Sequence, residues 1–154
     1  MKKFKFQLET LLKVTRMKKD DIEVQFAAVN RRLADQQENL RLLMEEMQKG
    51  QHDYEALARE GTRVNVDRLM NFNRFFAWKR EQIEMQNELI LQTKAEKQKK
   101  LKELMEIMSY LKSIEQLKEK RLQEYKDELL FEEQKMLDEI GLQLTMRARR
   151  EAVS

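Results

Sequence analysis

Cysteine and proline are absent from the 154 residues, histidine occurs once, at His52, and glycine only three times. Without cysteine there is no disulfide framework, no thiol nucleophile and no iron–sulfur ligand set, and one histidine removes most imidazole-based metal binding and acid–base chemistry. Three glycines and no proline supply too few tight turns for a β-sandwich, a barrel or a doubly wound sheet. No run of about eighteen apolar residues occurs, so no membrane-spanning helix is expected. The amino terminus, MKKFKFQLETLLKVTRMKK, lacks both an apolar core and a small-residue cleavage site. No signal peptide is expected, and a cytoplasmic location follows.

What the chain does have is charge. Lys and Arg number 31 and Asp and Glu 28, so that 38% of the residues are charged while the net charge is only +3. Hydrophobic residues make up 41% and are spread from end to end with Lys, Glu, Gln and ten Met, rather than clustered as a compact core requires. This is the composition of long amphipathic helices in a non-enzymatic protein. His52 beside Asp53, and pairs such as Glu45-Glu46 and Glu132-Glu133, read as solvated helix surface, because a pair of helices offers no water-excluding pocket. No cofactor and no metal are expected.

Two helical stripes organise the chain. The first runs from Phe4 to Leu57 through Leu8, Leu11, Ile22, Phe26, Val29, Leu33, Leu40, Leu43, Met47 and Tyr54, crossing Thr15, Lys18, Gln36 and Gly50. An additional step of four at Ile22 predicts a local stutter. The second repeats every seven residues through Leu69, Phe76, Ile83, Ile90, Lys97, Leu104 and Leu111, with Leu101, Met108, Leu122, Tyr125, Leu129 and Met136 at related positions.

Between the stripes, Gly61 suits a helix end, Asn65 a helix cap and Asp67 a first turn, with Gly50 as a competing breakpoint. The expected fold is all-α. It is a single elongated domain, a long antiparallel two-helix coiled coil whose second helix is the longer: helix about 4–57, turn about 59–65, helix about 66–141 ending near Gly141, and a frayed tail to 154. A turn centred near Gly61 sets Phe4 opposite about residue 119 and leaves about 30 residues, roughly 45 Å, as an overhang. That overhang still carries Leu122, Tyr125, Leu129, Leu130, Phe131, Met136 and Ile140, a stripe that implies a partner or a second copy of the chain.

Residues 2–20 hold seven bases and two acids, residues 124–139 seven acids and two bases, and Arg147, Arg149 and Arg150 turn basic again. Nucleic acid is not expected as a partner, because the amino-terminal bases are interleaved with Phe4, Phe6, Leu8 and Leu11 and adjoin an acidic band. Phe72, Phe75, Phe76 and Trp78 crowd within seven positions, and one narrow seam cannot enclose them all. At least Trp78 or Phe75 should be exposed as an anchor, or the group clamps the turn against Tyr54 and Leu57.

The opening Phe4-Lys5-Phe6-Gln7-Leu8-Glu9-Thr10-Leu11-Leu12, and the segment Leu69-Met70-Asn71-Phe72-Asn73-Arg74-Phe75-Phe76 continuing to Ile83, resemble the FliJ family of flagellar type III export proteins. The resemblance implies a cytoplasmic protein, peripheral to the inner membrane at the flagellar base. It also implies an antiparallel coiled coil similar to the central stalk of rotary ATPases, without catalytic residues. The partners implied are the hexameric export ATPase, the cytoplasmic part of the export gate protein and export chaperones.

Carried over by position, ATPase contacts would involve Phe4, Phe6, Leu8, Leu11 and Leu12 with Leu122, Tyr125 and Leu129, and gate contacts Phe72, Phe76 and Ile83. Lys79 stands where the family pattern would place an apolar residue. A homodimeric coiled-coil tether, and the equivalent stalk of a virulence type III secretion system, share the same periodicity.

Overall fold

The computed structural model describes residues 3–59 and 65–153. It contains two helices, α1 (Glu9–Arg59, 51 residues) and α2 (Val66–Val153, 88 residues), packed antiparallel, with no strand among the described residues. The fold is therefore the all-α hairpin expected, with the second helix the longer. The expected turn around Gly61 lies outside the described residues. Asn65 caps α2: its side-chain Oδ1 accepts from the Asp67 N–H (3.2 Å), and its carbonyl accepts from Arg68 (3.0 Å) and Leu69 (3.2 Å). With Asp67 in the first turn, the orphan donors and the positive helix end are both answered.

Two boundaries differ from expectation. The first helix starts at Glu9, not Phe4: residues 3–6 have no helical hydrogen bonding, and the Glu9 N–H closes a turn onto the Phe6 carbonyl (3.1 Å). The second helix does not stop at Gly141 but continues to Val153. An isolated glycine lowers helix stability by about 1 kcal/mol, which Leu142, Gln143 and Leu144 beyond it outweigh by prolonging a good helix-forming run. Gly50 is likewise no breakpoint but a buried position inside α1.

The chain divides into two compact units. One comprises Lys19–Glu106, the other the chain up to Lys18 together with α2 from Ile107. In the Lys19–Glu106 unit Val29 and Leu33 of α1 and Ile90 of α2 are buried in the seam. It is also threaded with polar layers. Gln36 is buried, its carbonyl accepts from the Gln86 Nε2 (2.8 Å), and its own Oε1 finds no protein donor. Buried Thr93 donates to the Leu89 carbonyl, which removes the cost of its hydroxyl without help from α1. Polar contacts flank the seam: Arg32 is ion-paired with Glu96 (2.8 Å), and the Lys100 ammonium donates to the Gln25 side-chain Oε1 (2.9 Å).

In the other unit the core is Leu12, Leu111 and Ile114, with Phe6 packed against them. Leu12 is fully buried, whereas Leu11 is 37% exposed. The covered positions of α1 are Leu12, Thr15, Lys19, Ile22, Phe26 and Val29, stepping by three and four without interruption. The expected stutter at Ile22 is thus absent. It arose from placing Leu11 and Lys18 in the seam where Leu12 and Lys19 stand.

Candidate partner-binding surfaces

Before α1 begins, residues 3–6 run along α2 without helical hydrogen bonding, Phe4 and Phe6 half-buried with Lys5 exposed between them, and Gln7 and Leu8 make the turn that leads into the helix. A helix advances only about 1.5 Å per residue, so this non-helical segment reaches further along α2 than a helical one would. Glu9 pairs with Lys118 (2.9 Å), and only five residues earlier the Phe4 ring meets Tyr125, centroids 5.6 Å apart. Phe4 therefore lies opposite Tyr125, not residue 119. The Lys118 ammonium beside Glu9 holds its carboxyl below the usual range.

Phe4, Phe6 and Leu8 with Leu117, Arg121, Glu124 and Tyr125 line a groove of about 280 Å³. A neighbouring groove of about 630 Å³ runs between Lys3 and Lys5 on one wall and Glu128, Leu129 and Glu132 on the other. Of the residues placed at this end from the sequence, Leu12 faces the core, Phe4, Phe6, Leu122, Tyr125 and Leu129 are half-buried, and Leu8 and Leu11 are exposed.

Beyond Leu129 every described residue of α2 is exposed, including Leu130, Phe131, Met136, Leu137, Ile140, Leu142, Leu144 and Met146. Met136 and Ile140, seven and eleven residues beyond Leu129, continue the face that carries Leu122 and Leu129, and Leu130, Leu137 and Leu144, seven apart, form an apolar row beside it. Leu137 and Leu144 were missed from the sequence, although their spacing from Leu130 marks them. The overhang thus starts about ten residues later than a helical amino terminus implied.

In the Lys19–Glu106 unit, Tyr54 is set edge-on against Phe72 (centroids 5.6 Å) and Phe76 (6.1 Å), and Phe75 is edge-on to Phe76 (5.7 Å). Phe72, Phe76 and Ile83 are half-buried members of the seam, and Trp78 is 54% exposed. Gly50 makes room for the Phe75 ring, and a groove of about 360 Å³ opens beside them among Asp53, Arg68, Asn71 and Phe72. Lys79 is not an exposed departure from the apolar pattern. Its side chain is buried in the seam, ion-paired with Glu46, with Nζ 4.7 Å from the centre of the Trp78 ring.

Against this geometry, the sequence model of the family described as Flagellar FliJ protein matches residues 4–150. The chain belongs to the FliJ family. Neither a curated protein nor a solved structure matches it. Membership makes it a component of flagellar type III protein export. No described helix is long and apolar enough to cross a membrane, and the described residues hold no cluster of three metal-ligating side chains.

Proposed function

We propose that this FliJ-family chain is a non-enzymatic coiled-coil stalk of the flagellar export apparatus. The end formed by its amino-terminal segment and the exposed part of α2 inserts into the ring of the hexameric export ATPase. The observation that carries the reading is the exposed stretch of α2, residues 130–153, which prolongs the seam's apolar face. Apolar side chains continuous with a packed seam gain by burial against a partner. Two packed helices about 20 Å across suit the channel of a ring.

Lys3 and Lys5 facing Glu128 and Glu132 provide bands of both signs to set depth and orientation. The stalk brings no catalytic group, so it acts on hydrolysis only by favouring one arrangement of the ring's subunits over another. The ring cluster around Phe72, Phe76 and Ile83, with exposed Trp78 beside it, serves the export gate protein, and export chaperones bind the same chain. Association with the inner membrane is peripheral, through these protein partners.

Pull-down with the export ATPase tests the reading. Leu130→Asp with Leu137→Asp should abolish capture, and Trp78→Ala should leave it intact. Capture of the double variant at full strength would remove the exposed face from the ATPase contact.

A further inference from the structure

The exposed stretch of α2 carries a charge arrangement that its apolar stripe alone does not require. Residues 124–139 hold seven acids against two bases, and residues 140–153 hold Arg147, Arg149 and Arg150 against the single Glu151. The two halves of one segment thus have opposite sign, with Leu137, Ile140 and Leu144 between and among them on one face.

Two copies laid side by side in the same direction would set acid against acid and base against base. Laid antiparallel about a two-fold axis near Glu139, they set Arg147, Arg149 and Arg150 of each copy beside Asp127–Glu133 of the other. The same arrangement sets Leu137 and Ile140 of one copy level with those of the other, and Leu144 of each beside the stretch of the other that holds Leu130 and Leu137. An isologous contact of this kind is closed and stops at two chains.

We infer that a second copy of this chain covers the exposed part of α2, forming an antiparallel homodimer that shields the apolar face. The inference stands apart from the ATPase reading, since it concerns the isolated chain and its assay contains no ATPase. Where both hold, the ring and the second copy compete for one face, and each copy must leave the other before it enters a ring.

The experiment is sedimentation velocity of the full chain across the micromolar range at low and high salt. The mass should rise with concentration from 18.7 kDa toward twice that value, and less readily at high salt. Arg149→Glu with Arg150→Glu should weaken dimerisation at least about tenfold, and adding Asp127→Lys with Glu128→Lys in the same chain should restore it.

Orientation is read separately, because the chain has no cysteine of its own to confuse the result. Glu132→Cys mixed with Thr145→Cys should be joined by a short thiol cross-linker, while Glu132→Cys alone should not. A chain that stays monomeric throughout, a dimer indifferent to the charge reversals, or self-linking of Glu132→Cys would each overturn the proposal.

Discussion

A Cβ added at Gly50 would lie 2.5 Å from Cε1 of Phe75, closer than any real contact of that kind. Glycine is therefore required by the ring on the opposite helix, not by a turn, and the sequence position that looks like a breakpoint is a packing site. Gly50→Ala should destabilise the protein by about 1–3 kcal/mol, because Phe75 must leave its edge-on place against Phe76. Thermal unfolding followed by circular dichroism measures it. An unchanged midpoint would mean the ring yields freely.

Gly141 is the contrasting case, since nothing lies within 4 Å of a Cβ placed there and the residue sits inside α2. Gly141→Ala should raise helix stability by about 0.5–1 kcal/mol and slow amide exchange around residues 138–145. Faster exchange would show that the helix does not persist through this point.

Lys79 is 5% exposed and holds its ammonium between Glu46 and the Trp78 ring. Glu46→Ala leaves that charge buried without its anion and should cost about 1–3 kcal/mol, less than for a fully buried pair because the Glu46 side chain is itself more than half exposed. Lys79→Met removes the charge and fills the seam, and should be neutral or stabilising. Urea unfolding of both variants and of the double variant closes the cycle. A larger loss for Lys79→Met than for Glu46→Ala would contradict the account of the pair.

Glu9 has its carboxyl lowered chiefly by the hydrogen bond from Lys118. A carboxylate depressed in the folded state stabilises fully above its unfolded value, and that contribution is lost as pH falls through the folded value. The contact between the start of α1 and α2 should therefore loosen only below the ordinary carboxylate range. Lys118→Met should return the Glu9 titration, followed by carboxyl-selective NMR, upward toward its ordinary value. No upward movement would exclude Lys118 as the cause.

The periodicity of α2 was readable because Leu69, Phe76, Ile83, Ile90, Leu104 and Leu111 announce one phase and the structure keeps it. The phase of α1 was harder to read. Leu11 and Leu12 are both leucine, Thr15 fits either phase, and the remaining choice is between two lysines, Lys18 and Lys19; the seam tolerates its polar members because Thr15 donates to the Leu11 carbonyl (2.7 Å) and Lys19 reaches Glu23 (3.5 Å). At the amino terminus only the short Phe4-x-Phe6 alternation departed from helix spacing, and the apolar run after it masked the non-helical start.

At the candidate site, half-buried Tyr125 looked uncovered from the sequence because a helical amino terminus would have stopped short of it. The pairing of Lys79 with Glu46 left no local mark, since it depends on the register between helices.

The central claim is that the end carrying residues 130–153 enters the ATPase ring and that these residues are needed for it to do so. ATP hydrolysis by the export ATPase, measured with the full chain and with a chain ending at Leu129, tests it most directly, with circular dichroism confirming that the shortened chain keeps its helices. The account predicts stimulation by the full chain and none by the shortened one. Equal stimulation by a helical, shortened chain would contradict it.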